Sequence, residues 1–326
     1  MALPARSPAK GGMGNRRVEA AVRRAVAGRD LVLAVSGGRD SMALMHAAAR
    51  LSPRAVRLVA TFDHGTGPVA TRASALAAAE ASRLGFPVVV GHAAADDARA
   101  SEAEWRSERM GFLRAVAQRA SREAGRPVRI STAHTRDDQV ETVLMRVLRH
   151  AGARGLAALY ARGEVVRPLL ECSRADVAAY AEHVGAVWVE DPTNESMRYF
   201  RNRVRRDLLP ALSRARPELH DDLLSLARGA ADWRDRVDAV ALAVSHIDAA
   251  RGVISVAAAD LEGYSRAELS VLWPAIAARV GLAMDWRGTA RAAAFTTESR
   301  VGARIQLSGG WEILRSRHLF ELGRWR

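Results

Sequence analysis

The stretch LVLAVSGGRDSMALMH, residues 31–46, decides the fold. Residues 31–35 are a short, wholly apolar run, as expected of a strand buried on both faces in a parallel sheet. Ser36, Gly37 and Gly38 follow at once. Two glycines let the backbone turn tightly and bring its N–H groups close to an anion. From Asp40 the pattern is helical, with Met42, Leu44, Met45 and Ala48 available for an inner face. A glycine-rich turn leading from a strand into a helix N-terminus is a phosphate site. An ordinary tight turn with Asp40 in the first helical turn is the competing reading. The loop is not a Walker A motif, since G-x-x-x-x-G-K-S/T is absent and the only lysine is Lys10. It is not a dinucleotide fingerprint either, because G-x-G-x-x-G is missing.

Outward from this stretch, residues 15–27 predict a short helix, and residues 56–62, 88–91 and 128–133 are three more apolar segments of strand type. Residues 42–51, 69–84 and 102–123 between them are helical. Such alternation predicts an α/β fold, a parallel sheet with helices on both faces. Ligands in such sheets sit at the carboxyl ends of the strands. The second strand ends in Phe62-Asp63-His64-Gly65, which suits either a turn or a nucleotide contact. Arg106 and Arg109, three apart, share a helix face and suit phosphate, or else form a solvated face with Glu102 and Glu108.

The fourth strand leads into His134-Thr135-Arg136-Asp137-Asp138-Gln139-Val140-Glu141. His134, Asp138 and Glu141 would share one face if the segment is helical throughout. Asp137 and Glu141 are like charges four apart, which destabilises a helix without a cation. A divalent metal or a substrate amine would compensate, and Mg²⁺ suits one or two carboxylates plus phosphate oxygens. The helix dipole alone explains Asp137 and Asp138 better than it explains Glu141 or His134. Further on, Ser173 with Asp176 reads as a helix N-cap, residues 187–190 as a short strand and 191–194 as a turn. Residues 198–206 then carry five arginines in nine positions, a dense positive patch able to address RNA phosphates. After Pro210 come a long amphipathic helix over 217–244, a strand near 251–256, helices over 266–280 and 285–294, and strands over 301–307, 311–315 and 319–322. Ser308-Gly309-Gly310 serves as a hairpin turn among them. This part predicts a small α+β domain without a catalytic cluster.

Composition sets the outer limits. A chain of 326 residues holds about two domains. One cysteine, Cys172, excludes an internal disulfide, a cysteine-based zinc site and chemistry needing paired thiols. Forty-nine basic against 36 acidic residues give a net charge of +13, which favours a polyanionic partner, here nucleic acid. Apolar runs fall short of a membrane span, and the N-terminal residues lack the apolar stretch of a secretory signal, so the expected location is cytoplasmic.

The SGGRDS loop resembles the SGGxDS loop of the PP-loop ATP pyrophosphatases, which cleave ATP between the α- and β-phosphates. Residues 134–141 match the HxxDDQxE element of one branch of that family, the tRNA(Ile)-lysidine synthases. Asp63-His64-Gly65 resembles a D-H-G element, although Thr66 and Gly67 replace the usual apolar residue and arginine. Arg106 and Arg109 match an A-R-x-x-R-Y element, with Trp105 and Met110 departing from it. Residues 152–159 and 166–170 are similar to G-x-x-G-L and R-P-L-L elements. Residues 190–194 and 201–205 are similar to E-D-P-S/T-N followed by R-N-x-x-R. The resemblance covers about residues 28–212.

It implies a leader and short helix over 1–27, a PP-loop ATP pyrophosphatase domain over 28–212, and a helical linker with a small tRNA-binding α+β domain over 213–326, as in the shorter family members. It implies ATP and Mg²⁺ as cofactors. Its partners would be free lysine and an isoleucine tRNA with a CAU anticodon, with no membrane partner; a homodimer stays open. By the same analogy Ser36, Gly37, Gly38, Arg39, Asp40 and Ser41 hold ATP, with Asp63 and His64 nearby. Asp40 and Asp138 would hold the metal, and Asp40, His134, Asp138 and Glu141 would be catalytic. Arg106, Arg109, Asn194, Arg201, Asn202, Arg203, Arg205 and Arg206 would contact substrate tRNA. The implied reaction adenylates the wobble cytidine and then joins lysine to its C2. A tRNA thiolase would want paired cysteines, a non-catalytic RNA-binding relative a damaged loop, and a small-molecule ligase no arginine patch.

Overall fold

The computed structural model describes residues 9–93, 102–190 and 196–324. Five strands form a parallel sheet: β1 Asp30–Ala34, β2 Val56–Asp63, β3 Val88–His92, β4 Val128–Ser131 and β5 Val165–Val166, in the order β3-β2-β1-β4-β5. The central strand pairs Val32 with Leu58 on one side and with Ile130 on the other. Its side chains alternate between two cores, as a strand buried on both faces must. Leu31, Leu33 and Val35 pack with α1 (Ala9–Val26), α2 (Arg39–Leu51) and, further along, the Arg174–His183 helix; Val32 packs with Leu113, Val116 and Ala117 of the Glu102–Ala124 helix.

Between these lie α3 (Pro68–Arg83), α4 (Glu102–Ala124), α5 (Arg136–Leu148), the four-residue α6 (Ala153–Leu156) and α7 (Arg174–His183). The chain leaves β1 toward β2 and β3, then returns through α4 to β4 on the other side of β1. That reversal makes the ends of β1 and β4 a topological switch point, where open α/β sheets bind ligands.

A short α8 (Phe200–Arg203), a π-helical turn (Val204–Leu208) and α9 (Leu209–Ala215) lead into α10 (Leu219–Val244). The first compact unit runs to Ala227, so the opening turns of α10 belong to it: Leu223, Leu224 and Ala227 pack with Val140, Val143 and Val204. The second unit, Arg228–Arg326, holds an antiparallel sheet, β6 (Ser245–Asp248), β7 (Val253–Ala257), β8 (Arg304–Leu307), β9 (Trp311–Arg315) and β10 (Leu319–Gly323), in the order β6-β7-β10-β9-β8. With α11 (Arg266–Ala278) and α12 (Trp286–Glu298) it encloses Trp273, Phe295, Ile313 and Phe320. This is the α/β sheet plus smaller α+β unit that the sequence predicts.

Two details differ. Residues 187–190 form no strand, and their tie to the loop after β1 is a single bond in which the Val189 N–H donates to the Gly37 carbonyl at 3.0 Å. The fifth strand is instead the two-residue Val165–Val166, too short to give a periodic signal. Asn194 and the turn over 191–194 lie outside the described residues. No helix among the described residues is long and apolar enough to cross a membrane.

Candidate functional site

Gly37 has φ +79°, and a Cβ there would fall 2.2 Å from the Ala73 carbonyl oxygen, so α3 closes over the loop as only glycine allows. The Ser36 N–H donates to Ser41 Oγ at 3.2 Å, and Ser41 Oγ donates to the Gly38 carbonyl at 2.8 Å. Ser41 thereby braces the turn from inside. Gly38 is the N-cap of α2 and has no side chain to satisfy the first helical amides. A rigid turn with uncapped amides at a helix N-terminus is an anion cradle.

Asp40 lies in the first turn of α2. Among the described residues its side chain has one bond, a long 3.4 Å contact from Arg39 Nε. Burial raises its pKa, Arg39 opposes that, and the nearby Asp138 carboxylate adds to the rise. An anionic group held in this state is a receptor for a cation or for a proton donor.

On the other side of the switch point, His134 is in the extended segment before α5, not on the helix with Asp138 and Glu141, because Thr135 is the N-cap. Its Nδ1 meets Thr132 Oγ1 at 2.8 Å. Burial, reinforced by Arg167, Arg201 and Arg106, lowers its pKa to about 4, with Asp138 partly opposing. The imidazole is therefore neutral at physiological pH, suited to hydrogen bonding rather than to carrying charge.

Asp138 closes a capping box: its Oδ2 accepts from the Thr135 N–H at 2.8 Å and from Thr135 Oγ1 at 2.9 Å. Asp137 accepts from the Arg174 N–H at the start of α7, at 2.8 Å. The expected lack of a compensating cation is overturned here. Glu141 Oε1 accepts from Arg174 at 3.0 Å and from Arg205 Nε at 2.6 Å, and its Oε2 from Arg201 Nε and the other Arg205 nitrogen, both at 2.9 Å. Asp138 Oδ1 also accepts from Arg174 at 3.3 Å and from Arg201 at 3.0 Å. Burial raises both carboxyls, and the guanidiniums more than reverse it, so both end below their ordinary values.

Two members of the arginine patch, Arg201 and Arg205, thus face inward. The reason is their four-residue spacing, which puts both on the side of α8 and its π-turn that meets α5. Arg203 and Arg206 are exposed, with Arg203 5.7 Å from the centre of the Phe200 ring. Asn202 is buried, and its amide donates to the Ser196 carbonyl at 2.8 Å, so it holds the chain turn. Arg174 carries no motif signal; it reaches the acids from 33 residues away in sequence.

At the end of β2, Asp63 is buried and accepts from the Gly65 N–H at 2.9 Å, which sets the turn. His64 stands edge-on to Phe62 at 4.9 Å and 6.4 Å from Trp105. Burial, then the Arg109 charge, lowers its pKa.

Among the described residues no three His, Cys, Asp or Glu side chains cluster as a complete metal cage. The donor set suits a magnesium ion only together with phosphate oxygens: Asp40 has open carboxylate positions, whereas both oxygens of Asp138 already accept hydrogen bonds.

A parallel sheet with a glycine loop shaped for an anion at its switch point defines a PP-loop nucleotide-binding domain, and residues 14–212 match the PP-loop domain family. The same fold occurs in the U34-tRNA thiolase NcsA from Methanococcus maripaludis, with a TM-score of 0.53 at 16% identity over 68% of this chain and 78% of that one. A tRNA(Ile)-lysidine synthase of Salinispora tropica is 37% identical over 307 residues, 89% of this chain and 85% of that protein. One from Ruegeria pomeroyi is 41% identical over 189 residues, 55% of this chain, which spans 44% of that protein's length. The chain belongs to the tRNA(Ile)-lysidine synthase family.

Proposed function

We propose that the protein joins lysine to C2 of the wobble cytidine of an isoleucine tRNA with a CAU anticodon, using ATP. The observation that supports this most is the pairing of an intact SGGRDS cradle with the Asp138–Glu141 network across one switch point. In the first step the cytidine C2 oxygen attacks the α-phosphate of ATP, an O–P bond forms and pyrophosphate leaves. In the second, the lysine ε-amine attacks C2, the C2–O bond breaks, AMP departs and the amine's proton goes to base or solvent. Adenylation is needed because the bare carbonyl oxygen is a poor leaving group.

The amides after Gly38 would hold the departing pyrophosphate. Magnesium, when bound, supplies charge neutralisation on the phosphates, with Asp40 as its protein ligand. Neutral His134 would hydrogen-bond the nucleotide. Glu141 has its acceptor positions taken by three arginines, so a lysine ammonium would have to replace one of them. Incorporation of labelled lysine into unmodified isoleucine tRNA, with ATP and Mg²⁺, tests the proposal; ATP turnover without lysine transfer would reject it.

Cys172 is buried, and burial pushes its thiol to about 11, so it is inert. Cys172→Ser should leave lysine transfer unchanged; complete loss in a folded variant would point to sulfur chemistry instead.

The outward arginines fit the tRNA backbone. Exposed ion pairs contribute at most about 1 kcal/mol, so Arg203 and Arg206 have little structural reason to be arginine. The double variant Arg203→Ala, Arg206→Ala should weaken tRNA binding and flatten its salt dependence by roughly 0.9 per lost phosphate contact. ATP affinity measured without tRNA should stay the same. Filter binding at several salt concentrations, with calorimetry for ATP, reads both; an unchanged slope with weaker ATP binding would reassign these side chains.

A further inference from the structure

The amino ends of the parallel strands carry a second polar site, far from the SGGRDS loop. Asp30 opens β1 and Ser36 lies six residues on, roughly 20 Å along extended chain. The Asp30 side chain is 5% exposed, and arginines reach it from both sides of β1. Arg57 of β2 donates to its Oδ2 at 3.0 Å, and Arg126, just before β4, donates to its Oδ1 at 3.0 Å. Beside this acid opens a cleft of about 750 Å³. Its cationic side is Arg29, Arg54, Arg126 and Arg129, and its apolar wall is Val26, Leu51, Pro53, Ala55 and Pro127.

The charges of this cleft do not balance. Asp30 is the one acid in its lining among the described residues, so four guanidiniums leave a surplus of three. Arg29 donates to the Ala25 carbonyl at 2.6 Å and Arg129 to the Gly163 carbonyl, both neutral acceptors. Arg54, in the turn Pro53–Ala55, makes no hydrogen bond or ion pair among the described residues. Helix C-termini attract cations, and those of α1, α2 and α4 arrive here, at Val26, Leu51 and Ala124. Each end counts as about half a negative charge, roughly −1.5 together, which leaves about +1.5 unmatched. A phosphate monoester carries about −1.5 to −2 at neutral pH. Guanidinium forks match its oxygens with paired charge-assisted bonds.

The geometry points to this cleft as a second ligand site, one for a small phosphate monoester with an apolar or ring-shaped body, of the size of a nucleoside monophosphate. The phosphate sits among Arg54, Arg126 and Arg129, and the body lies against Val26, Leu51 and Pro53. Pockets for small ligands hold roughly 300 to 1,000 Å³, and this one falls within that range. An RNA backbone fits less well: each phosphodiester brings a single charge and would leave the apolar wall unused. The site stands at the opposite end of β1 from the reaction described above, and its occupancy does not depend on that reaction.

The variants are Arg54→Gln and Ala27→Trp in the full chain. Arg54 is exposed and has no partner to lose, and Ala27, also exposed, lines the cleft, where a tryptophan would fill it. AMP is the probe, titrated by calorimetry into the wild type and each variant, with ATP titrated separately and thermal melting as the check on folding. Wild type should bind AMP at this site, and Arg54→Gln should weaken that binding about tenfold, in line with losing a hydrogen bond to a charged group. Ala27→Trp should abolish it. ATP affinity, tRNA affinity and the melting temperature of Arg54→Gln should not change. If Ala27→Trp fails to fold, Arg54→Gln decides alone. A wild-type chain that binds no AMP, or folded variants that bind it as the wild type does, would overturn the site. Unchanged AMP binding with weaker tRNA binding and a flatter salt dependence in Arg54→Gln would overturn the small-ligand assignment and give this face to RNA. A parallel loss of AMP and ATP affinity would place AMP at the SGGRDS loop and overturn it as well.

Discussion

Asp40→Asn is expected to abolish ATP-dependent pyrophosphate release while leaving the fold at least as stable as before. The two halves of that result have separate causes. Asp40 contributes little to the architecture: its one side-chain bond among the described residues is the 3.4 Å contact from Arg39, and the turn is braced by Ser41 and closed by Ala73 and Val189. Burial and the Asp138 charge raise its pKa. The unfolded chain therefore loses this proton at lower pH than the folded one, and stability falls as pH rises from the unfolded pKa through the raised folded value. Asparagine removes that penalty, so the melting temperature at neutral pH should hold or rise.

Activity should move the other way. A half-buried carboxylate beside a phosphate cradle is the ligand a phosphate-bound cation needs, and losing one charge-stabilising group of this kind lowers turnover by about 100- to 1000-fold. A coupled pyrophosphate assay alongside thermal melting decides the matter. Near-normal release from a variant that melts like the wild type would take Asp40 out of the chemistry; a large drop in melting temperature would make it structural.

Much of this edge of the sheet was legible in the chain itself because it is local. Apolar runs of four to eight residues with glycine turns define β1 to β4, and the SGGRDS loop announces its own geometry: Gly37 must have a positive φ, and Ser41 sits where it can reach back to the turn. What was not legible depends on contacts distant in sequence. Nothing in residues 134–141 reveals that Arg174, Arg201 and Arg205 converge on Glu141, because those partners lie 33, 60 and 64 residues away. The dense run at 198–206 reads as one positive surface, yet the helical repeat divides it, sending Arg201 and Arg205 to the acids and leaving Arg203 and Arg206 outside. Asn202, which motif similarity places on substrate, also donates to the Ser196 carbonyl, a contact no spacing announces.

Glu141→Gln should be among the most destabilising substitutions of a charged residue in the protein. From the sequence alone, Asp137 and Glu141 look like an uncompensated pair whose neutralisation would be harmless. The structure reverses that expectation. The Glu141 side chain is 2% exposed, and its two oxygens take four hydrogen bonds from three guanidiniums that are each about a quarter exposed. Three arginines face two carboxylates, Asp138 and Glu141, so the network already carries one surplus positive charge. Glutamine keeps the shape, raises the surplus to two and turns an N–H₂ toward a guanidinium. Breaking a buried network in this way costs about 3 kcal/mol, or on the order of 10 °C in melting temperature for a unit of this size.

The pH dependence carries an independent sign. The folded pKa of Glu141 is below its unfolded value: burial pushes it up, but Arg205, Arg174 and Arg201 prevail. Its contribution is fully present above the unfolded pKa, near 4.3, and is lost as pH falls through the lower folded value. Wild-type stability should therefore fall on acidification below about pH 4.3, while the glutamine variant, already lower, should fall less steeply. Adding Arg205→Met removes one of the stranded cations and should recover part of the loss, a coupling that a double-mutant cycle measures directly. A Glu141→Gln protein melting within about a degree of wild type, with no coupling to Arg205, would show that the network does not hold α5 against α8 and would leave Glu141 to the chemistry alone.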